Sequence, residues 1–355
     1  MNENHIRPYK KEDYNGIIYT RPGETKAGQV MAENAWRESD QSVTDWLSRL
    51  HSSNVSHGIL LVPEDIGPRG NLGRAGARKA PEAFFRQFAN LQANRFLDFS
   101  RVIPVGEVDI EDLNREAENA SLKELRNICH RLDDRVRSAV ECIVNAELKP
   151  IIIGGGNNNS LPTISGIVSA RQIKGGISCI NCDPHADYRM LEGRHSGNPF
   201  SYAHKRELLS SYLVFALHEN YNSQEMMERL QLDGYDYISF ESIVHKGHEG
   251  FDHALKEAIE KLQSSSGSGS KGQIGLELDL DSIKHLATSA RTPVGISEEE
   301  ALKYIHDLTT KFDTLYLHLS EGAPGCTTDD GMRSVGKFLA YAVATFLKAD
   351  NGKNS

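Results

Sequence analysis

Six short, nearly uninterrupted apolar runs read as buried strands: GILLV (58–62), PIII (150–153), GISCI (176–180), YLVFAL (212–217), YDYISF (235–240) and DTLYLHL (313–319). A seventh, GQIGLELDL (272–280), alternates more. Helical patterns lie between several of them. The clearest starts at Ser121, where SLKE carries the serine and the glutamate three positions on of a capping box. Leu122, Leu125, Ile128, Cys129, Leu132, Val136, Val140 and Ile143 then follow at helical spacing. A last helix is predicted over SVGKFLAYAVATFLKA. Continuous apolar strands alternating with amphipathic helices imply an α/β fold: three layers, α/β/α, around a mostly parallel sheet. The polar first 55 residues read as an N-terminal extension, and residues 56–350 as a single domain. SSSGSGSK (264–271) reads as a flexible loop within that domain.

A chain of 355 residues, 39% hydrophobic and 25% charged, can bury a large core. Its net charge of −9 argues against nucleic-acid and anionic-membrane partners. No stretch approaches the length of a membrane span and no signal-peptide pattern opens the chain. The five cysteines are odd in number and scattered. Cys179 and Cys182 have the spacing of a redox or zinc half-site, but their apolar run and the lack of a second pair favour buried strand thiols. A reducing, cytoplasmic setting is expected.

The chemistry gathers where the strands end, which is where open α/β sheets bind ligands. GISCIN runs into CDPHADYR, setting Asp183, His185 and Asp187 at alternate positions, so that two carboxylates and an imidazole point the same way. The seventh strand closes in LELDLDS, where Asp279 and Asp281 project together and Glu277 shares their parity one step deeper. So many carboxylates raise one another's pKa and call for a cation. Four carboxylates with one imidazole suit a Mn2+-like ion better than zinc. Arg189 either neutralises the cluster or holds a substrate carboxylate. The long stretch 64–86 reads as an active-site loop with a structural turn, since its GRAG lacks the full dinucleotide fingerprint. GGGNNNS (154–160) is no phosphate loop, because no lysine follows its glycines.

DPHADYR, DLDS, HSGNPF and SEGAP together resemble the ureohydrolase superfamily of arginase, agmatinase and formimidoylglutamase, over about residues 57–348. The resemblance implies an arginase-like fold and two manganese ions. Asp183 and Asp279 would bridge them, His185 and Asp281 would complete one site, and Asp187 the other. The family's turn brings a histidine to the first ion. Here it brings Asn157, or Asn158 if the turn is read one residue later, an uncharged oxygen ligand at best. The second Mn2+ is therefore expected to be weak, exchangeable or absent. Glu321 would meet the substrate's cationic nitrogens, and Arg189 its amino-acid end. Ser196 stands where arginase carries a histidine, with His195 just before it. HSGNPF is closer to the formimidoylglutamase form. The activity implied is hydrolysis of the small-molecule amidine N-formimidoyl-L-glutamate to L-glutamate and formamide, with Asp187 handling the proton, in a possible homo-oligomer. Two alternatives stay open: a degenerate member that binds rather than hydrolyses, and a guanidino hydrolase that releases urea.

Overall fold

The computed structural model of the chain describes residues 4–265, 272–327 and 330–352. The described strands form one sheet: β1 (Ile6–Pro8), β2 (His57–Leu61), β3 (Val102–Val108), β4 (Lys149–Ile153), β5 (Ile177–Cys182), β6 (Leu209–Leu217), β7 (Asp236–Ser239), β8 (Gln273–Asp279) and β9 (Asp313–Ser320). Their order across the sheet is β1-β3-β2-β4-β9-β8-β5-β6-β7. β1 pairs antiparallel with β3, and the remaining pairings are parallel.

Successive strand side chains feed two different cores. Ile59, Leu61, Ile151 and Ile153 pack into one apolar cluster, whereas Leu60 and Ile152 pack into the other. Helices Ala80–Phe88, Glu298–Lys311 and Gly331–Asn351 cover the first face. Helices Val43–Ser52, Leu122–Asn145 and Ser160–Ala170 cover the second. The fold is thus a three-layer α/β/α arrangement, and burial on both faces is why the strands read as continuous apolar runs.

The capping box forms at Leu122–Asn145: the Ser121 backbone N–H donates to Glu124 Oε2 at 2.7 Å, and Glu124 N–H donates back to the Ser121 hydroxyl at 3.4 Å. Two strands are additional to those predicted. β3 contains Pro104 and Gly106, and its register against β2 shifts between Ile59 and Leu60, so a bulge absorbs the missing proline donor. β1 belongs to the first 55 residues. From the same segment, Trp46, Leu47 and Leu50 are fully buried, and Trp46 Nε1 donates to the Asn34 carbonyl at 3.0 Å.

Of the expected loop 264–271, residues 266–271 lie outside the described residues. Cys179 and Cys182 are buried free thiols on β5. Among the described residues no helix is long and apolar enough to cross a membrane.

Candidate functional site

Four neighbouring strands, β4, β9, β8 and β5, end on the same edge of the sheet, and each delivers polar groups to one point. Asp183 and Asp187 follow β5, Asp279 closes β8 with Asp281 just beyond, and Glu321 follows β9. All five carboxylates are buried. Asp183, Asp187 and Asp279 each place an oxygen within 4.8 Å of the others, a spacing that fits a divalent ion. Asp187 and Glu321 both sit at positive φ, +46° and +60°. Such backbone is strained for residues with a Cβ and collects at functional sites.

The electrostatics match the geometry. Burial, and then the charge of Asp183, pushes Asp187 well above the usual carboxylate range. Burial followed by Asp183 and Asp281 does the same to Asp279, and burial followed by Asp281 to Glu321. Asp281 is raised by burial, against the pull of His185. Burial draws His185 down, but Asp183, Asp281 and Asp187 outweigh it and hold the imidazole up at about 9. A cluster in which so many groups resist ionising together is suited to divalent cations with oxygen and imidazole ligands.

His185 lies beside the cluster, its ring Nδ1 3.4 Å from Asp183 Oδ1 and its backbone N–H donating to the same oxygen at 2.7 Å. The ring stacks on Tyr221 with centroids 5.8 Å apart and planes at 23°. Asp281 accepts from the Ala290 N–H at 3.0 Å, and Glu321 from the Ser289 hydroxyl at 2.6 Å. Tyr221 and Ser289 carry no sequence signal for these roles, because tertiary packing alone brings them in.

In the asparagine turn, Asn157 faces the cluster of Asp183 and Asp187, whereas Asn158 faces Glu64. Asn157 Nδ2 donates to Asp187 Oδ2 at 2.6 Å and to Asp183 Oδ2 at 3.2 Å. Its Oδ1 accepts from the hydroxyls of Ser160 at 2.8 Å and Ser320 at 3.1 Å. In this arrangement the amide nitrogen faces the carboxylate oxygens and donates to them. The oxygen expected to serve as ligand is the one that accepts from Ser160 and Ser320 here. The Asn157 backbone N–H donates to Glu321 Oε1 at 2.8 Å, tying β4's turn to β9's end.

A cavity of about 610 Å³ opens over the cluster, lined in part by Asn71, Asp187, Arg189, Ser196, Tyr221 and Glu321. The side chain of Arg189 is exposed there. His195, expected beside Ser196 on the substrate, is fully buried instead. Its Nδ1 accepts from the Gly197 N–H at 3.1 Å and its Nε2 lies 3.2 Å from Glu192 Oε1, which turns the ring inward. Glu277 is likewise buried below the cluster, held by Tyr316 at 2.6 Å and His318 at 2.6 Å, and it shares the Ser160 hydroxyl, 2.8 Å away, with Asn157.

Known proteins sharpen the picture. Formimidoylglutamase of Clostridium tetani is 30% identical over 190 residues, and the match spans 51% of this chain and about half (52%) of that relative. Formimidoylglutamase of Geobacillus thermodenitrificans is 24% identical over 287 residues, covering 80% of this chain and 81% of the relative. Among solved structures, Trypanosoma cruzi formiminoglutamase with Mn2+ superimposes with a TM-score of 0.66 at 22% identity, over 91% of this chain and 99% of that one. A variant of the same enzyme, with an asparagine replaced by histidine and also with Mn2+, gives the same TM-score. The Arginase family model matches residues 56–344. The chain, by that match over most of its length, belongs to the arginase family.

Proposed function

We propose that this arginase-family hydrolase cleaves the non-peptide C–N bond of a linear amidine, N-formimidoyl-L-glutamate, giving L-glutamate and formamide with the consumption of one water. The observation that carries the reading is the buried convergence of Asp183, Asp187 and Asp279 beside Glu321, beneath a cavity with Arg189 in its wall. The names of the similar proteins support the same substrate.

Asp183, Asp279, Asp281 and His185 would hold one Mn2+, and Asp187 with Asp183 and Asp279 a second, more weakly held one. Bound there, the ions would supply hydroxide from water near neutral pH. Asp187 would accept a hydrogen bond from the attacking water and pass a proton to the departing amine. Glu321 holds the N–H groups of the planar cationic carbon centre, which favours an amidinium over a neutral amide. Arg189 pairs with a carboxylate at the far end of the substrate.

Asn157 adds no charge and presents N–H rather than a lone pair, which supports unequal affinity for the two ions. The Trypanosoma cruzi enzyme carries Mn2+ both as itself and as its asparagine-to-histidine variant, so manganese there is compatible with either residue. The same Asn157 contact favours a second reading, a binding protein with one ion or none. Manganese content after saturation and gel filtration, followed by assay of formamide and urea, decides between them. Two ions and formamide support the proposal; urea points to a guanidino hydrolase; no metal and no product leave the binding protein.

A further inference from the structure

We propose that Glu64 is the positioning residue that locks the asparagine turn to the cleft loop and so sets where Asn157 and Glu321 stand. Glu64 follows β2 and is fully buried, yet among the described residues no cationic side chain pairs with it. Five donors do instead. Oε2 accepts from the backbone N–H groups of Ile66 at 2.6 Å and Gly67 at 3.1 Å. Oε1 accepts from the Gly156 N–H at 2.7 Å, Asn159 Nδ2 at 2.8 Å and Asn158 Nδ2 at 3.3 Å. A carboxylate has about four lone-pair sites, so these five donors fill it, and they oppose the upward pull of burial on its pKa.

The two oxygens thus grip two different segments. One belongs to the loop that lines the cleft through Pro68, Asn71 and Gly73, and the other to the turn that ends β4. The contact is tight enough to require glycine on both sides. A Cβ on Gly67 would lie 1.7 Å from Asn158 Oδ1, and one on Gly155 would lie 2.4 Å from Glu64 Oε1. From the gripped turn, the Asn157 amide reaches Asp183 and Asp187, and its backbone N–H reaches Glu321. From the gripped loop, the Gly67 carbonyl accepts the Ser196 N–H at 3.1 Å. Glu64 therefore touches no substrate, but three walls of the site take their positions from it. The run of three asparagines divides accordingly: one faces the carboxylate cluster and two face Glu64. Charge-assisted bonds to buried N–H groups are among the stronger ones, and an ångström of misplacement in a site costs about 10²-fold in rate.

The consequence for turnover rests on the hydrolase reading above, so the test includes a readout that does not. Hydrogen exchange is measured on the full chain and on its Glu64→Gln and Glu64→Asp variants, well below their melting temperatures, alongside Mn2+ titration and steady-state kinetics. Glu64→Gln sets an amide NH2 against other donors, whereas Glu64→Asp keeps the charge but shortens the reach. The expected result is at least tenfold faster exchange in residues 65–73 and 155–160 together, with β9 and the helix Leu122–Asn145 unchanged. Mn2+ affinity and kcat should fall at least tenfold with KM nearly constant, more for Gln than for Asp. If Glu64→Gln does not fold, Asn159→Ala, which removes one donor, replaces it and should show the same paired exchange at smaller size. Unchanged exchange in either segment, or uniform loss of protection across the chain, overturns the proposal. A wild-type chain without turnover but with the paired exchange response would retire the hydrolase reading and leave the clamp standing.

Discussion

Asn157 Nδ2 donates to Asp187 Oδ2 at 2.6 Å, so the turn that ends β4 presents a hydrogen-bond donor to a carboxylate of the buried cluster. An N–H group and a metal ion both satisfy a buried carboxylate, but only the ion brings positive charge. The contact therefore leaves this edge of the cluster hydrogen-bonded without added charge, with Ser160 and Ser320 holding the amide's other end.

Asn157→His should accordingly raise Mn2+ affinity by about tenfold or more, because a neutral imidazole offers a lone pair where the amide offers hydrogen. Loss of the free-Mn2+ electron paramagnetic resonance signal during titration measures it. Unchanged affinity would mean that position 157 does not face the ion.

Glu321→Gln should lower turnover by at least about 10²-fold while leaving manganese content as it was, since an amide cannot match two N–H groups of an amidinium. The glutamine oxygen can still accept from the Asn157 N–H, and its NH2 can donate to the Ser289 hydroxyl in place of accepting from it. Full activity of the variant would remove Glu321 from the reaction.

His195 makes the protein acid-sensitive. Burial first, then the charges of Arg126, Arg194 and Arg189, pull its pKa down to about 3, and a proton on Nδ1 would meet the Gly197 N–H. The unfolded histidine takes its proton near 6.5, so stability is fully present above that pH and is lost as pH falls toward 3. The loss has a ceiling of about 1.4 kcal/mol per pH unit. His195→Asn should flatten the slope of unfolding free energy between pH 6 and 4 in urea titrations. Identical slopes for variant and wild type would show that His195 titrates normally.

Trp46→Ala probes the first 55 residues. Trp46 is fully buried, stacks edge-on with Trp36 at 5.8 Å and donates to the Asn34 carbonyl. A loss of about 3–5 kcal/mol in a single cooperative transition is expected from removing such a side chain. A separate early transition, with the main one unmoved, would mark this segment as a detachable arm.

Much of this was legible in the chain, for identifiable reasons. Strands buried on both faces leave unmistakable apolar runs, and six of the described strands announced themselves that way, with β8 a more alternating seventh. β3 did not, because Pro104 and Gly106 look like strand breakers until a bulge accommodates them. Asp183, Asp187, Asp279 and Asp281 were readable by their place at strand ends, but not by the extended alternation expected of them: Asp187 stands at positive φ and Asp281 in the tight turn Leu280–Ser282. His195 and Ser196 are neighbours in sequence, and only the loop's hydrogen bonds decide that the serine lines the cavity while the histidine turns inward. Glu64 was silent for a different reason. Its donors come from positions 66, 67, 156, 158 and 159, and no local pattern encodes a meeting of segments so far apart.

The strand order has a consequence for how the molecule is made. β8 and β9 lie between β4 and β5, so the middle of the sheet is the last part of it to leave the ribosome. Until then β4 and β5 each present an open inner edge, and the carboxylates after β5 have no Asp279 or Glu321 to meet. Edges of this kind are where nascent chains stick to one another. Any ion the mature centre binds must wait as well: the nascent chain can gather amino acids for hundreds of residues without owning the full set of carboxylates, which is complete only once β8 and β9 have been made.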